Sequence, residues 1–274
     1  MIFKKKIWNL QFKLFIALVF FNISGCSFKD EGQKFSKEKN NNLNSKIINY
    51  YSKEIAKDPN NFLFYLERGQ AKHDYEDFEG AIRDFDDSFK IKPNMRMFYY
   101  RANAKFDYGD YKGAIKDYEK ITFIKDFNDE TFYNIASAQL ILLNYEEAIN
   151  NYSKSIELDP TDENVYFLRG NAKFKIKDFH GSIIDFSKSI EINNRSYITL
   201  NNRGVSKFKL GNYIGALEDF KKSLKLNPNN YSTLYNKSIT FVELNELKKA
   251  CIDLKKSIKL GKEVFKDEFS KICI

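Results

Sequence analysis

A repeated period of about 34 residues runs through most of this chain and constrains its fold more than any other feature. Segments such as "EGAIRDFDDSFKIKP" at 79–93 and "EEAINNYSKSIELDP" at 146–160 repeat one pattern of small, apolar and polar residues. The aligned small residue recurs once in every period, at Ala81, Ala114, Ala148, Ser182, Ala216 and Ala250. A fixed period of this length indicates an array of repeated supersecondary units, each of which needs its neighbours to bury its apolar faces.

Each unit is predicted to be a pair of helices. A second series of similar segments, such as "YFLRGNAKFKIKDF" at 166–179, precedes each of the first, separated by a short polar turn. The chain contains four prolines, Pro59, Pro93, Pro160 and Pro228, and each of them follows a predicted second helix. Proline cannot continue a helix interior and therefore ends it. Since Pro59 and Pro93 lie one period apart, residues 46–60 are predicted to be the second helix of a partial first repeat.

The pattern resembles the tetratricopeptide repeat (TPR) family, whose unit is a helix–turn–helix of this same period. The eighth position of each unit is small, at Gly69, Ala102, Ala136, Gly170, Gly204 and Ser238. The twenty-fourth position, on the second helix, is aromatic at Phe85, Tyr118, Tyr152, Phe186 and Phe220 and departs from the pattern at Leu254. The resemblance implies an all-α fold, a right-handed superhelical α-solenoid of TPR helix–turn–helix repeats with a C-terminal capping helix. The predicted units are 62–94, 95–128, 129–162, 163–196, 197–230 and 231–262 (together 61–262), followed by the capping helix at 263–274.

The N-terminal segment 1–25 has the layout of a secretory signal. Lys4–Lys6 are positive, Leu14–Phe21 are apolar, and the apolar stretch is shorter than the roughly 20 residues that span a bilayer. The sequence Ile23-Ser24-Gly25-Cys26 resembles the bacterial lipobox, which implies cleavage of 1–25 and lipidation of Cys26. An uncleaved N-terminal anchor with an incidental cysteine is the alternative.

The segment after the predicted lipidation site is polar and asparagine-rich. Residues 26–45 carry too little apolar surface to fold alone, so they are predicted to form a flexible tether. The residue after Cys26 is Ser27, and not the aspartate that retains lipoproteins in the inner membrane of enteric bacteria. We therefore expect an exported protein, lipid-anchored in the bacterial cell envelope, with the outer membrane favoured over the inner, at its periplasmic face or the cell surface.

Composition argues against nucleic-acid binding and catalysis. The formal charge is +8, but Lys4, Lys5, Lys6 and Lys13 precede Cys26, so a cleaved chain would carry only +4, spread over many mixed charges. A nucleic-acid partner would call for a concentrated basic stripe. The only two histidines, His73 and His180, fall in different units and outside any ligand pattern. We expect no metal, no cofactor and no enzymatic activity.

The resemblance implies that the first helices line a concave groove that binds proteins or peptides. Aromatic and amide side chains fall at the groove positions: Tyr99, Asn103, Phe106, Tyr133, Phe167, Asn171, Phe174, Asn201, Phe208 and Tyr235. Amides can bond a peptide backbone in both directions, and aromatic rings supply apolar contact. The family's chaperone-tail binders have a lysine where this chain has Leu66, so we do not expect recognition of a free carboxylate terminus.

Several alternatives remain open from the sequence. The favoured function is a membrane-anchored scaffold of the cell envelope; a surface antigen or adhesin that binds host molecules is the alternative, and a small-ligand or glycan carrier a third. The recurrent Arg68, Arg101, Arg169 and Arg203 either bridge neighbouring helices or face the groove. Cys251 and Cys273 either pair, as an exported protein allows, or remain thiols.

Overall fold

The computed structural model describes residues 31–124, 128–260 and 273, with side chains from residue 42 onward except that of residue 128. Within these residues lie thirteen helices: α1 Glu31–Lys57, α2 Phe62–Asp74, α3 Phe78–Ile91, α4 Arg96–Tyr108, α5 Tyr111–Glu119, α6 Asn128–Ile141, α7 Tyr145–Leu158, α8 Glu163–Lys175, α9 Phe179–Ile192, α10 Tyr197–Lys209, α11 Tyr213–Leu226, α12 Tyr231–Glu243 and α13 Leu247–Lys259. No strand occurs among them. The predicted signal sequence, Cys26 and the capping helix lie outside the described residues, except for Cys273.

Six helical hairpins follow one another along the chain, from α2–α3 to α12–α13. The turn of every hairpin contains one residue with positive φ, fifteenth in its unit: Glu76, Gly109, Leu143, Lys177, Gly211 and Asn245. In four of the hairpins the next residue caps the second helix through its side chain; Asp178, for example, accepts a hydrogen bond at Oδ1 from the backbone N–H of Gly181 at 2.8 Å. The hairpin geometry is therefore encoded locally and repeated from unit to unit.

Small residues on the first helix let the two helices of a hairpin approach closely. An added Cβ at Gly69, Gly170 or Gly204 would lie 2.7, 2.8 or 2.7 Å from a ring carbon of Phe85, Phe186 or Phe220. These three rings are almost fully buried. Where alanine replaces the glycine, at Ala102 and Ala136, the facing ring belongs to a tyrosine. The small and large positions predicted from the sequence therefore meet in the core.

A buried ionic cluster holds the two helices of a hairpin together. The carboxylate of Asp185, with 1% of its side chain exposed, accepts from Arg169 Nε and Nη2 at 2.9 and 2.7 Å. It also pairs with Lys173 Nζ at 2.9 Å. Equivalent clusters form around Asp84 (Arg68, Lys72), Asp117 (Arg101, Lys105) and Asp219 (Arg203, Lys207). The third unit has Ile135, Gln139 and Asn151 at these places.

The same arginines connect each repeat to the one before it. Arg169 Nη1 donates to Ser153 Oγ of the preceding repeat at 3.0 Å, and Arg203 Nη1 donates to Ser187 Oγ at 3.1 Å. Arg68 reaches Ser52 of α1 at 3.2 Å in the same way. The predicted bridging role is therefore confirmed: each arginine links its own second helix to that of the preceding repeat.

The stack curves toward its first helices. Neighbouring first helices contact each other directly in the pairs α2–α4, α6–α8, α8–α10 and α10–α12. Each second helix from α3 to α11 packs between two first helices, and α13 packs against α12. The first helices α2, α4, α6, α8, α10 and α12 therefore form what we call the inner face. The second helices, together with α1, form the outer face. This arrangement confirms the predicted all-α solenoid.

Two elements differ from the sequence-based prediction. The tether predicted for residues 26–45 is helical from Glu31, as the N-terminal part of α1, which continues to Lys57. The prediction of a tether over 31–45 was therefore wrong. A helix already fixed by packing can extend at little further cost, and residues 33–39 contain no proline and several good helix formers.

The second difference is the length of α5. This helix ends at Glu119 and is 9 residues long, whereas the other second helices of the hairpins have 13 or 14. Tight turns follow it, with Ile121 N–H donating to Tyr118 O at 3.0 Å and Ile124 N–H donating to Ile121 O at 3.0 Å. Ile121 is fully buried where the other hairpins carry a buried serine. The helix α5 therefore lacks the last turn of the other second helices, and the side chain of Ile121 is buried where that turn would lie.

Candidate functional site

The inner face carries a strip of partly exposed aromatic rings. Three rings at the same place in consecutive repeats each rest on a buried ring of the paired second helix. The centroid distances are 6.3 Å for Tyr99 on Tyr118, 6.0 Å for Tyr133 on Tyr152 and 6.0 Å for Phe167 on Phe186. Tyr118, Tyr152 and Phe186 are almost fully buried. Each inner-face ring is therefore supported from behind and keeps part of its surface accessible.

A second row of predicted groove residues has a different environment. Phe106, Phe174 and Phe208 pack against the aromatic residue that begins the following helix, at centroid distances of 5.3, 5.2 and 5.3 Å. They close the turn of each hairpin and lie at the edge of the inner face. All three are partly buried, so they stabilise the hairpin and present only a fraction of their surface to a ligand.

A chain of asparagine amides runs along the inner face of the last three units. Asn236 Nδ2 donates to Asn201 Oδ1 at 3.0 Å, Asn201 Nδ2 donates to Asn202 Oδ1 at 3.3 Å, and Asn202 Nδ2 donates to Asn171 Oδ1 at 3.1 Å. The chain joins α8, α10 and α12. We call these four residues the amide ladder. An amide side chain has two N–H donors and two acceptor lone pairs. After these bonds, Asn201 and Asn202 each retain one N–H donor and one acceptor lone pair.

The inner face of the second and third units contains a tyrosine network. Burial and a hydrogen bond with Glu130 raise the pKa of Tyr99 to about 12, so the phenol remains protonated at physiological pH. The hydroxyl of Tyr118 donates to Asn103 Oδ1. Ser137 Oγ lies 3.1 Å from the hydroxyl of Tyr152. The polar atoms of this half of the groove are therefore arranged by contacts within and between repeats.

The rim of the groove changes charge along its length. The last turns of α2 and α4 carry Asp74 and Asp107, and His73 Nε2 lies 2.8 Å from Asp107 Oδ2. The equivalent positions at the ends of α8 and α10 are Lys175 and Lys209. Burial lowers the pKa of Lys175. The last unit has an acidic residue again at this position, Glu243 at the end of α12. A long ligand would therefore meet basic groups beside the fourth and fifth units and acidic groups toward both ends of the groove.

A small cleft opens beside one of the aromatic rings. Its volume is about 170 Å³, and its walls include Phe167, Ser189, Asn193 and Thr199. Asn193 Nδ2 donates to Glu163 Oε1 at 3.2 Å across its edge. A cavity of about 150 Å³ is large enough for a benzene ring. The cleft can therefore accept one side chain of a ligand that lies along the inner face.

The structure places the ten predicted groove residues on first helices, all partly buried. It brings Asn171 and Asn201 into the amide ladder, where two further members, Asn202 and Asn236, were missed by the sequence analysis. These two asparagines occupy the same repeat position one full period apart, and this recurrence is the sequence signal that could have identified them.

Cys251 and Cys273 are joined by a disulfide, which ties residue 273 to α13.

Residues 31–124, 128–260 and 273 hold no group of three or more His, Cys, Asp or Glu side chains placed to bind a metal ion. Within the same ranges, each helix is too short or too polar to cross a membrane.

Comparison with known proteins agrees with this architecture. Residues 144–177 match the family described as TPR repeat, and residues 197–230 match the family described as tetratricopeptide repeat. No curated protein sequence matches the chain.

Solved structures share the fold at low sequence identity. The C-terminal part of a TPR repeat-containing protein from Cytophaga hutchinsonii has a TM-score of 0.71 at 19% identity, over 83% of this chain and 93% of that one. YrrB, described as a TPR protein with an unusual peptide-binding site, has a TM-score of 0.61 at 19% identity, over 68% and 97%. MamA residues 41 to the end, from Desulfovibrio magneticus RS-1, has a TM-score of 0.58 at 15% identity, over 61% and 94%. The body of this chain is an all-α solenoid of tetratricopeptide repeats.

Proposed function

We propose that this protein is a membrane-anchored scaffold of the bacterial cell envelope that binds an extended segment of another protein along its inner face. The observation that carries the proposal is the continuous strip of aromatic and amide side chains across consecutive first helices. A TPR solenoid supports protein–protein interaction in general, and YrrB, with its peptide-binding site, shares the fold. The membrane anchor and the envelope location rest on the sequence alone, through the lipobox-like segment that ends at Cys26.

The amide ladder suits the backbone of an extended peptide. Every peptide unit offers one N–H and one C=O, and Asn201 and Asn202 each keep one donor and one acceptor available. Because the bonds within the ladder already fix the amide orientations, a peptide would find its partners preorganised. Preorganisation raises affinity since less side-chain entropy is lost on binding.

The aromatic strip supplies apolar contact beside the ladder. Tyr133 and Phe167 are held in place by the buried rings behind them, so their exposed surfaces cost little entropy to immobilise. The cleft next to Phe167 would hold one bulky side chain of the partner. We therefore expect a partner segment with at least one aromatic or large aliphatic residue in an extended stretch.

The proposal is tested by removing both rings from the full-length protein. Aromatic hot-spot residues each contribute at least about 1 kcal/mol to binding, so Tyr133→Ala with Phe167→Ala should weaken capture of an envelope partner about thirtyfold. Capture is measured by quantitative mass spectrometry after pull-down from an envelope extract of the source bacterium. Circular dichroism verifies that the helices remain.

The matched control replaces two apolar residues of the outer face. Ile184→Ala with Ile214→Ala removes side chains that are 68% and 62% exposed, and it should leave capture unchanged. Equal capture by the groove variant and the wild type would contradict the proposed binding face. The anchor is tested separately by mass spectrometry of the purified protein, where an intact Met1 or an unmodified Cys26 would exclude lipidation.

A further inference from the structure

The outward side of α13 has an unusual composition. Ile252 is 69% exposed and lies at the centre of the helix, although an isoleucine side chain gains free energy when it leaves water. Residues three and four positions away on a helix share its face. At those four positions stand Lys248, Lys249, Lys255 and Lys256, all exposed. We call Ile252, these four lysines and Lys259, one turn further on, the α13 patch.

The charges of the α13 patch are only partly compensated. Lys249 pairs with Glu246, and Lys256 Nζ donates to Pro228 O at 3.1 Å. Lys248, Lys255 and Lys259 form no ion pair with any residue that the structure describes. The one acidic residue of α13, Asp253, is buried and pairs with Lys237 at 3.1 Å. The exposed charges of α13 are therefore all basic, and they surround Ile252, the most exposed aliphatic side chain of the helix.

Basic charge accumulates on the outer face toward this end of the solenoid. The exposed charges of α7 are three glutamates and one lysine, at Glu146, Glu147, Glu157 and Lys154. Those of α11 are three lysines and one glutamate, at Lys221, Lys222, Lys225 and Glu218. Since α11 and α13 are the second helices of neighbouring repeats, their lysines extend one basic surface. Its position opposite the inner face separates it from the proposed groove.

We infer that the α13 patch binds the surface of a bilayer that contains anionic phospholipids. Each lysine near such a surface contributes about 1 kcal/mol of attraction, and an exposed aliphatic side chain gains by entering the acyl boundary. A ring of lysines around an isoleucine combines these two contributions at one point. Lysine side chains are also long enough to keep their ammonium groups among the headgroups while the isoleucine enters more deeply.

The composition of the α13 patch favours a membrane over other acidic partners. Protein interfaces are enriched in Arg, Tyr and Trp and depleted in Lys, and the patch contains lysine and none of the three. Arginine is also the preferred residue for the bidentate recognition of nucleic-acid phosphates. Neither of these partners gives the exposed Ile252 a comparable role. A diffuse, negatively charged apolar boundary accounts for both residue types together.

This contact would leave the inner face open to a partner. The second helices lie on the side of the stack away from the first helices, so a bilayer on the α13 patch would not cover the aromatic strip. The inference stands on the described residues alone and does not depend on lipidation of Cys26. Its failure would leave the proposed groove untouched.

The experiment measures partition of the full-length protein into vesicles. The protein carries Cys26→Ser in every case, which excludes any acyl chain, and the vesicles consist of phosphatidylcholine alone or of phosphatidylcholine with phosphatidylglycerol. The readout is the ratio of the two partition coefficients, because apolar contacts common to both vesicles cancel. Lys248→Gln with Lys255→Gln should lower this ratio about 25-fold, about fivefold for each lysine.

A matched control makes the same change of charge elsewhere on the outer face. Lys112→Gln with Lys116→Gln removes two exposed lysines of α5 and should leave the ratio unchanged. Ile252→Ser should lower the partition coefficient for the anionic vesicles themselves several-fold at constant charge. Raising the salt concentration should weaken binding of the wild type to the anionic vesicles more than binding of the Lys248/Lys255 variant, which keeps the other lysines of the patch.

Three results would overturn the inference. The first is an unchanged ratio in the Lys248/Lys255 variant. The second is an equal fall in the α5 control, which would indicate a general charge effect. The third is tighter binding of a duplex DNA oligonucleotide than of anionic vesicles, dependent on Lys248 and Lys255 and indifferent to Ile252→Ser, which would assign the surface to nucleic acid.

Discussion

Asp117 and Asp253 occupy the same position in their repeats but ionise differently. Burial raises the pKa of the Asp117 carboxyl, but the hydrogen bonds and charges of Arg101 and Lys105 outweigh it and leave the pKa below its ordinary value. In the last unit a lysine, Lys237, stands where the second unit has Arg101, and burial prevails, so the pKa of Asp253 is raised. The last unit also has Phe241 where the second has Lys105. Asp253 therefore hydrogen-bonds one lysine where Asp117 bonds an arginine and a lysine, and this loss of partners decides the sign.

This difference in environment predicts that replacement of Asp117 and of Asp253 by asparagine lowers the free energy of unfolding by unequal amounts. Asp117→Asn leaves two cations without their buried partner and should lower the free energy of unfolding at neutral pH by about 3–5 kcal/mol. Asp253→Asn removes a carboxylate that is poorly compensated and should cost less than about 1 kcal/mol. Urea unfolding followed by circular dichroism measures both. Similar costs for the two variants would contradict the difference in environment.

The two carboxyls also predict opposite dependences on pH. The lowered pKa of Asp117 means that its stabilisation is present above the unfolded value, near 3.8, and is lost as the pH falls through the folded value. The raised pKa of Asp253 means that its contribution is present below about that pH and is lost as the pH rises through the folded value. Acid destabilisation should therefore be smaller in Asp117→Asn than in the wild type.

Some contacts between individual residues can be predicted from the sequence, and others cannot. The pairing of Gly204 with Phe220 follows from the repeat frame, because a small and a large residue recur at facing positions. The amide ladder does not, since Asn202 and Asn236 are common surface residues and their bonds depend on the rotation between neighbouring repeats. That rotation results from packing along the whole interface, which the repeat pattern alone does not specify.

At the scale of single elements, the hairpins were predictable and their irregular members were not. The turn residues and the caps such as Asp178 lie at fixed positions and act locally, so the sequence frame places them correctly. The early end of α5 depends on burying Ile121, and the N-terminal extension of α1 depends on its packed remainder. The first is a tertiary effect that overrides local propensity, whereas the second combines packing with the good helix formers of residues 33–39.

The C-terminal end of the solenoid is an element with a covalent constraint. The disulfide between Cys251 and Cys273 closes a loop with a sequence separation of 22. Cross-linking a loop of this size stabilises a protein by about 3 kcal/mol, chiefly by restricting the unfolded chain. Cys251→Ser with Cys273→Ser should therefore lower the free energy of unfolding by about that amount.

Urea unfolding of the oxidised protein and of this double variant measures the difference. A thiol titration under denaturant provides the control, because two additional thiols should become reactive only after reduction. Equal thiol counts before and after reduction would contradict the disulfide in the protein as isolated.

At the scale of the whole molecule, repetition of one hairpin produces a long surface. Each repeat contacts mainly its neighbours, so the stack adds one ring or amide to the inner face with every unit. The sequence predicted this architecture because the period persists over six units. The third unit, with Ile135 and Asn151 in place of the ionic cluster, stays in register through its apolar packing.

The central claim is that the inner face of this stack binds another polypeptide, and photocrosslinking tests it most directly. A photoreactive amino acid is placed at Phe167 on the inner face or at Ile184 on the outer face, and the source cells are irradiated. We expect a covalent adduct with a discrete second polypeptide from position 167 and none of that size from position 184. Adducts from position 184 alone, or equal adducts from both positions, would contradict the account.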